Sequence, residues 1–582
     1  MQDTSEDEGT TDTLLQNQNE EIFIVESKGF TSGRLFRIAV AVAILVLVIV
    51  LVAVVVVSLV HHSAANSATN NTTAPGTFNW ASYYGNHMVL QQGPHRAVLW
   101  GYGEVGATVN VSIDTSVSVF SSMVHEGENG RGVWKVALDP MPPGGPYRIQ
   151  GVHDTNGTLQ RNFLEDVMFG DVWVCSGQSN MEFTVSQAFN AQQAIAEAAN
   201  FPNIRLFTVE RMQSDKPLYD LDKILQHWSV ASSDSVGGAA WKYFSAVCWF
   251  YGRELYNHLG YPIGLVATSY SGTPIETWSP PQVLEDCNIT HNYREESDVL
   301  VDAGLVGWPS EHSVLWNAMI HPLLNMTIKG AIWYQGESNT RHPDTYSCSF
   351  PGMIDSWRKE WYMGTGGQTD RHFPFGFVQI STETPNVIKL GYPAIRWHQT
   401  ADYGYVPNPA MPNVFMAVAV DLVDPDSPFG SIHPRYKEDV ASRLVLGARA
   451  VAYNETDVVF QGPHPVSVDV DPERKTVRRD YPKSQNITVK SNDGFEVCCS
   501  RNLSQCDMTS QEWSPVPIVA STSYSITLQL SQDCWEDVTY IRYLWKQWPC
   551  DFKQCAVYSA ESGLPEAPFF GCILEPDKKP PC

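Results

Sequence analysis

The amino-acid sequence predicts an α/β fold, with a mainly parallel sheet covered by helices, two flanking β-rich regions and one N-terminal transmembrane helix. Between residues 166 and 455, apolar runs of strand length alternate with helical runs. Short strand-like runs without helices occupy both flanks, and one long apolar run lies near the N-terminus. Alternation of strands and helices is the pattern of parallel sheets. The 582 residues are too many for a single core and indicate two to four domains.

The N-terminal segment predicts a membrane anchor. Residues 38–60 are apolar except for Ser58, and a helix of that length, roughly 34 Å, crosses a hydrocarbon core of about 30 Å. A cleaved signal peptide has a shorter apolar run closer to the N-terminus. Three basic residues precede the span, so the polar and acidic tail of residues 1–37, expected to be disordered, stays in the cytosol. Residues 61–77, rich in Ser, Thr and Asn, are expected to form a stalk.

Cysteines and glycosylation sequons lie on one side of this span. All 12 cysteines follow it, and so do nine Asn-x-Ser/Thr sequons. We therefore expect a single-pass type II membrane protein whose main part lies in the lumen of the secretory pathway or a lysosome, or outside the cell, and carries N-glycans. The net charge of −25 excludes nucleic acid as a partner, and any anionic ligand would need a local cluster of arginines.

The two flanking regions have different compositions. Residues 78–165 carry short alternating runs separated by Gly, Pro and Asn, which is typical of a small β-sandwich. Residues 456–582 return to strand patterning and contain eight of the 12 cysteines, which predicts a disulfide-rich β domain. The pairing of these cysteines cannot be derived from the sequence. Their spacing differs from the Cys-x2-Cys pairs of common zinc sites, so no metal is expected.

Residues 166–455 predict the α/β domain itself. Strands are expected at residues 172–175, 263–268, 330–334, 375–380 and 414–420, and helices at residues 186–199, 249–258, 313–324 and 437–453. In open α/β sheets, ligands bind at the carboxyl ends of the parallel strands. The segments that follow the strands are therefore the ones to search for chemistry.

The first predicted strand of this domain runs directly into Ser176-Gly177-Gln178-Ser179-Asn180-Met181. Several α/β hydrolytic folds present a nucleophilic serine in this way, because the glycine permits a sharp turn between a buried strand and a helix. Met181 occupies the place of the second glycine of Gly-x-Ser-x-Gly, and an isolated Gly-x-Ser is more often an ordinary turn. The motif therefore needs support from segments that follow the other strands.

Three such segments give that support. Together with the first they resemble the SGNH (GDSL-like) hydrolases, and most closely the carbohydrate-esterase branch to which the sialate O-acetylesterases belong. The matching blocks are Gly177-Gln178-Ser179-Asn180-Met181, residues 271–278 (SGTPIETW), residues 333–339 (WYQGESN) and Ile432-His433-Pro434-Arg435. The likeness runs from about residue 79 to the C-terminal cysteines and implies a three-layer SGNH-type hydrolase domain. The predicted tail and membrane span fall outside it.

The resemblance also implies roles for individual residues. Ser179 would be the nucleophile, and His433 the general base and then the general acid. The backbone amides of Ser179 and Gly272, with a side-chain amide from Gln335 or Asn339, would form the oxyanion hole, and Gln335 is the favoured side chain. Each such donor is typically worth about 3 kcal/mol of transition-state stabilisation.

The chain departs from the family pattern at one position of the site. The family places an aspartate three residues before the histidine, and Gly430 stands there in this sequence. Either Asp421, Asp424 or Asp426 orients His433, or a backbone carbonyl does so. The sequence leaves this choice open.

Other residues in or near the blocks allow two interpretations each. Cys175 lies inside the strand, which favours a buried thiol or a half-cystine over a second nucleophile. Glu337 would act as a general base or would shape its loop. Trp278 and Trp333 would stack on a sugar ring or belong to the core.

The resemblance implies a serine esterase that removes O-acetyl groups from sialic acids and needs no cofactor. Because this substrate is an anion, a guanidinium should hold its carboxylate, and Arg341, Arg396 and Arg435 lie in or beside the blocks. One alternative is an esterase for other acetylated glycans. Another is a catalytically weak, glycan-binding membrane ectodomain, which the missing aspartate at position 430 keeps open.

Overall fold

The computed structural model describes residues 77–573, apart from residues 128–129, 243, 291–308, 386–389, 501–505, 509, 511, 533 and 535–537. The predicted tail of residues 1–37 and the predicted span of residues 38–60 lie outside the described residues, as does the predicted stalk except for Thr77. Among the helices of the described part, none has both the length and the hydropathy needed to cross a membrane.

The first described region is made of strands, as its alternating pattern predicts. The strands are β1 (Asn79–Trp80), β2 (Val89–Gln91), β3 (Val98–Tyr102), β4 (Thr108–Ile113), β5 (Val119–Met123), β6 (His125–Glu126), β7 (Gly132–Ala137) and β8 (Gly144–Thr155). An antiparallel sheet has the order β1-β3-β7-β6, and β4 pairs antiparallel with β5 and β8. In β4 the apolar residues alternate and are buried, so one face of this strand packs on the core.

The next strand, β9 (Thr158–Gly177), belongs to two regions. Its first part pairs antiparallel with β8, and its last part lies inside the central parallel sheet. The predicted boundary between residues 165 and 166 therefore falls within one continuous strand of 20 residues. From Val167 onward the strand is buried without alternation, because both faces of a parallel sheet are covered.

The central sheet confirms the predicted α/β class. Its further strands are β10 (Ile204–Val209), β11 (Ile224–Val230), β12 (Ile263–Ser269), β13 (Gly330–Tyr334), β14 (Phe375–Gln379) and β15 (Val414–Val418). The order is β11-β10-β12-β9-β13-β14-β15, and along this order only the β10–β11 pair is antiparallel. Gly177 of β9 pairs with Ser269 of β12 and with Tyr334 of β13, so these three strands end at the same level.

The helices agree with the sequence in part. They are α1 (Ser179–Glu182), α2 (Ala191–Glu197), α3 (Ser233–Val236), α4 (Ala246–Leu259), α5 (Pro281–Asp286), α6 (Tyr346–Gly364), α7 (Gly391–His398) and α8 (Lys437–Val451). The predicted helices at 249–258 and 437–453 are α4 and α8. The predicted helix at 186–199 is confirmed only from Ala191 onward, because Asn190 takes a left-handed conformation (φ 59°) that separates a 3-10 turn from α2.

The predicted helix at 313–324 is wrong as a regular α-helix. The structure has a π-helical turn at Trp316–Ile320, followed by a 3-10 turn at His321–Leu323. Pro322 has no backbone N–H to donate to the carbonyl one turn earlier, so a regular α-helix cannot continue through it.

The C-terminal region is rich in strands and disulfides, as predicted. Its strands are β16 (Ser467–Asp471), β17 (Thr476–Asp480), β18 (Ile487–Val489), β19 (Phe495–Cys499), β20 (Trp513–Val516), β21 (Ile518–Thr522), β22 (Ser525–Gln529), β23 (Val538–Tyr543), β24 (Val557–Ser559) and β25 (Phe569–Cys572). The disulfides here are Cys498–Cys506, Cys499–Cys534 and Cys550–Cys555. They stabilise a region of short strands.

Two buried features of the α/β region decide between the interpretations left open above. Cys175 is bonded to Cys248 of α4, so it is a half-cystine and not a nucleophile. Trp278 and Trp333 are fully buried, with ring centroids 5.8 Å apart in an edge-on contact. Both tryptophans belong to the core, and sugar stacking is excluded for them because no ring face is accessible.

Candidate active site

The turn after β9 is forced by sterics. Gly177 has φ 140°, and a Cβ at this position would lie 2.2 Å from the carbonyl oxygen of Tyr334. Only glycine fits so close to the neighbouring strand. The next amide, of Gln178, donates to the same carbonyl at 3.0 Å, and the chain then enters α1. The glycine of the Gly-x-Ser motif is therefore required by the packing of β9 against β13.

This turn places Ser179 at the first position of α1. The residue is 7% exposed, so it lies at the edge of the interior. Amides in the first turn of a helix have no partner within that helix, which leaves the Ser179 N–H available for an anion. α1 is a single turn, and Ser179 and Glu182 lie on the same face of it.

His433 lies in a tight turn after β15. Gly430 has φ 85°, and its carbonyl accepts the amide of His433 at 2.8 Å. The imidazole Nδ1 lies 2.7 Å from the carbonyl oxygen of Phe429. A carbonyl can only accept, so Nδ1 carries the proton and Nε2 keeps its lone pair. The ring packs against Trp241, with centroids 5.2 Å apart, and stacks on Phe183 at 6.5 Å.

The surroundings of His433 favour its neutral form. Burial lowers the pKa of the imidazole, and the charge of nearby Lys437 lowers it further, to about 4 from the usual 6.5. The hydrogen bond to Phe429 opposes this shift only in part. At neutral pH the side chain is therefore an unprotonated base in the tautomer that a serine nucleophile needs.

The three candidate aspartates are engaged elsewhere or exposed. Asp421 is fully buried and binds Arg443 through both carboxylate oxygens, at 2.6 and 3.0 Å. Asp424 accepts the backbone N–H, Nε and Nη2 of Arg435 at 2.7–3.0 Å. Asp426 is exposed. Within the described residues none of these carboxylates is hydrogen-bonded to the imidazole, and the contact that orients it is the backbone carbonyl.

One side chain connects the nucleophile turn to the histidine turn. The Asn180 amide nitrogen donates to Glu337 Oε1 at 2.6 Å and to the carbonyl of Ile432 at 3.0 Å. Its oxygen accepts from Lys437 Nζ at 2.7 Å, and the same ammonium donates to the carbonyl of Pro434 at 2.7 Å. The two carbonyls on either side of the histidine are thus held by Asn180 and Lys437.

The charges of this network are buried. Burial raises the pKa of Glu337, although the hydrogen bond from Asn180 opposes the shift. Burial lowers the pKa of Lys437 to about 7, and the Glu337 carboxylate opposes that shift. The ammonium also lies 4.6 Å from the ring centroid of Phe183 and 5.3 Å from that of Tyr334. Glu337 is hydrogen-bonded to Asn180 and not to Ser179, which favours the loop-shaping interpretation of this carboxylate.

Gln335 and Asn339 differ from the expectation. Gln335 Nε2 donates to the carbonyl of Thr273 at 3.1 Å and to Asn339 Oδ1 at 2.7 Å. Asn339 Nδ2 donates to both carboxylate oxygens of Glu276, at 3.1 and 2.9 Å. Both side chains are fully buried, so their amide protons join the second and third blocks to each other. Of the expected oxyanion donors, the backbone amides of Ser179 and Gly272 stay candidates.

The arginines predicted to hold an anionic sugar are also placed differently. Arg396 is fully buried, and burial lowers its pKa to about 9. Its guanidinium donates to four backbone carbonyls, those of Ile380, Ser381, Lys546 and Gln547. It is therefore a structural residue, and its assignment as a substrate ligand is corrected. Arg435 is held by Asp424, while Arg341 is exposed.

A second polar cluster, which the sequence did not reveal, borders the nucleophile turn. Glu182 Oε2 accepts from the backbone N–H and the hydroxyl of Ser271, at 2.6 and 2.7 Å, and Oε1 binds Arg211. The position of Glu182 three residues after Ser179, on the same helical face, is a signal that could have identified it. Arg211 and Lys437 carry no such local signal, because tertiary contacts bring them to the site.

Comparisons with known proteins agree with this architecture. Family models match at residues 169–423 (carbohydrate esterase, sialic acid-specific acetylesterase) and at residues 466–573 (sialate O-acetylesterase C-terminal domain). The sialate O-acetylesterase of Mus musculus is 45% identical over 519 residues, covering 85% of this chain and 94% of the relative. That of Homo sapiens is 45% identical over 504 residues, covering 86% and 93%.

A crystal structure of a carbohydrate acetylesterase from Xanthomonas citri superposes with a TM-score of 0.67 at 26% sequence identity. The match covers 84% of this chain and 99% of that chain, so it includes the β-rich regions as well as the central sheet. The coverage of the sequence matches and their 45% identity both indicate the same family. The chain therefore belongs to the sialate O-acetylesterase family of carbohydrate esterases.

Proposed function

We propose that this protein is a serine esterase that removes O-acetyl groups from sialic acids. Its membership of the sialate O-acetylesterase family supports the substrate class. The observation that carries the chemistry is the Asn180 network, because it ties the turn that bears Ser179 to both sides of His433. A nucleophile and a base on separate segments of the chain need such a connection to stay within reach of each other.

The acylation step follows from the tautomer of the histidine. Nε2 of His433 takes the proton of the Ser179 hydroxyl while Oγ attacks the carbonyl carbon of the acetyl ester. The amides of Ser179 and Gly272 stabilise the oxyanion that forms. When the tetrahedral intermediate collapses, the carbon–oxygen bond to the sugar breaks, and the imidazolium gives its proton to the departing sugar oxygen. An acetyl group remains on Ser179.

Deacylation repeats the same proton movements with water. His433 takes a proton from a water molecule that attacks the acetyl carbon, and the intermediate then releases Ser179 as it recovers its proton from the imidazolium. The products are acetate and the free sugar hydroxyl. The carbonyl of Phe429 holds the imidazole in position throughout, because it accepts from Nδ1 in both protonation states.

Replacement of the nucleophile tests the proposal directly. We expect Ser179→Ala to lose at least about a thousandfold in kcat/KM on O-acetylated sialic acids, because no attacking oxygen remains. The measurement is acetate release from a panel of O-acetylated sialic acids and O-acetylated neutral sugars. Wild-type activity confined to the neutral sugars would contradict the substrate class, and activity that survives in Ser179→Ala would contradict the mechanism.

The buried histidine sets the pH dependence. The base is active only when unprotonated, so kcat/KM should rise through a pH of about 4, the lowered pKa of His433, and be flat across pH 6–7. An ordinary histidine would give a rise near pH 6.5. The measurement is initial rates from pH 3.5 to 8, corrected with Ser179→Ala. A midpoint near 6.5 would show that the imidazole is exposed in the working enzyme.

The lysine of the network should affect turnover more than substrate binding. Lys437→Met keeps the apolar stem but leaves Asn180 Oδ1 and the Pro434 carbonyl without their donor. Loss of a buried donor typically costs about 1–3 kcal/mol, so we expect kcat to fall at least about tenfold while KM stays within about twofold.

The matched control for this substitution is Lys490→Met. Lys490 also donates to a carbonyl, that of Lys553, and lies 3.9 Å from the ring centroid of Tyr558, but it belongs to the C-terminal region. Steady-state kinetics of both variants, together with their melting temperatures, separate a positioning role from a loss of stability. Equal kinetics for the two variants would show that Lys437 does not position the histidine.

We further propose that the protein is a type II membrane glycoprotein whose esterase region faces the lumen or the outside. The apolar run of residues 38–60 and the basic residues before it support this orientation. In the described part of the chain five disulfides are formed, which supports an oxidising compartment. The six sequon asparagines described there are not buried: Asn110, Asn156, Asn288, Asn325, Asn454 and Asn486.

Membrane extraction tests the anchor. The full chain should remain with membranes after alkaline carbonate treatment, and a glycosidase that removes N-glycans should lower its apparent mass. The double substitution Leu45→Arg and Val48→Arg should release it, because a charge at the centre of the span costs about 2.5–3.5 kcal/mol. Leu14→Arg with Leu15→Arg in the tail is the matched control. A wild-type chain that carbonate extracts would contradict the anchor.

A further inference from the structure

A pocket lies beside α1, the helix that begins at Ser179. Its lining includes Glu182, Arg211, Trp241 and Ser269. The ring of Trp241 also packs on the imidazole of His433, so one wall of the pocket adjoins the base. Ser269 ends β12 just before the loop that contains Gly272, so the opposite wall adjoins the oxyanion amide. Glu182 belongs to the same helical turn as Ser179, so the pocket adjoins the turn that bears this serine.

The guanidinium in this pocket is held in place by a carboxylate that is itself fixed. Glu182 is 10% exposed, and its Oε2 is anchored by the amide and hydroxyl of Ser271. Its Oε1 pairs with Nη1 of Arg211, whose side chain is 31% exposed. Nε and Nη2 of Arg211 form no hydrogen bond within the part of the chain that the structure describes. The edge of the guanidinium that carries Nε and Nη2 is therefore oriented and can donate to a ligand.

Charge and position together identify a ligand for this edge. The chain has a net charge of −25, so an anion binds only where a local cation overcomes the general repulsion. The donors of Arg396 are used by backbone carbonyls, and Asp424 occupies Nε and Nη2 of Arg435. Residues three apart on a helix, such as Ser179 and Glu182, have Cβ atoms about 5–6 Å apart. The Glu182–Arg211 pair therefore lies within the length of one sugar ring of the Ser179 hydroxyl.

We propose that Arg211 binds the carboxylate of the sialic acid, with Nε and Nη2 donating to its two oxygens, and that Glu182 acts as a positioning residue that orients the guanidinium. This inference rests on the proposed function, which it extends by naming the residue that selects an anionic sugar. Paired donation by a planar guanidinium is the arrangement that carboxylates favour.

The test compares an O-acetylated sialic acid with the same sugar whose carboxylate is converted to a carboxamide. For the wild type, kcat/KM for the carboxamide should be at least about tenfold lower than kcat/KM for the acid, chiefly through a higher KM, because a charged hydrogen bond is lost. Arg211→Gln should lower kcat/KM for the acid by the same factor and leave the carboxamide unchanged. Arg211→Lys, which keeps the charge but not the paired donors, should recover only part of the loss.

The control is Arg371→Gln, since Arg371 pairs with Asp355, is 34% exposed and precedes the amino end of β14, away from the site. Turnover of p-nitrophenyl acetate reports the nucleophile and base independently of the sugar. If Arg211→Gln keeps the wild-type preference for acid over carboxamide, the inference is overturned and the proposed function stands. If the wild type cleaves p-nitrophenyl acetate but no acetylated sialic acid, the proposed function fails and the inference with it.

Discussion

The arrangement of the site depends on the side-chain amide of Asn180. This residue follows Ser179 directly. Its amide nitrogen reaches the segments after two other strands of the sheet, and its oxygen accepts from the first residue of α8. Because the amide is fully buried, each of its hydrogen bonds forms in a medium where leaving a partner unpaired is costly. The turn after β9, the Glu337 loop and the His433 turn are therefore connected to one another through one residue.

The same amide separates two buried charges. Glu337 lies on its donor side and Lys437 on its acceptor side, and each shifts the pKa of the other towards the charged form. A buried carboxylate or ammonium alone would be expensive, whereas a pair bridged by an amide compensates much of the desolvation. The aromatic rings of Phe183 and Tyr334 enclose the ammonium and keep water from it. The network thus gives rigidity to a site in which Ser179 begins a one-turn helix and His433 lies in a turn.

The part of this site that follows the ends of parallel strands could be predicted from the sequence. Ser179, Gly272 and the Gln335 loop follow strands β9, β12 and β13, whose parallel register brings them to one level, so a local pattern sufficed to group them. Their side-chain roles were harder to predict. Sequence patterns do not show whether Gln335 donates to a ligand or to a backbone carbonyl, because both are common uses of an amide. Lys437 and Arg211 reach the site through tertiary contacts, and the Phe429 carbonyl has no residue identity to recognise.

The missing aspartate changes the acid–base character of the histidine more than its geometry. A backbone carbonyl fixes the tautomer as an aspartate would, but it brings a dipole in place of a full negative charge. Burial disfavours the imidazolium, the carbonyl dipole offsets this only in part, and the nearby positive charge of Lys437 destabilises the imidazolium further, so its pKa is lowered. A weaker base slows proton removal from Ser179. The corresponding imidazolium is, however, a stronger acid, and protonation of the leaving oxygen is the demanding step when that oxygen belongs to a sugar hydroxyl and not to an activated ester. In the proposed mechanism, a carbonyl in place of the aspartate thus suits the hydrolysis of an unactivated sugar acetate.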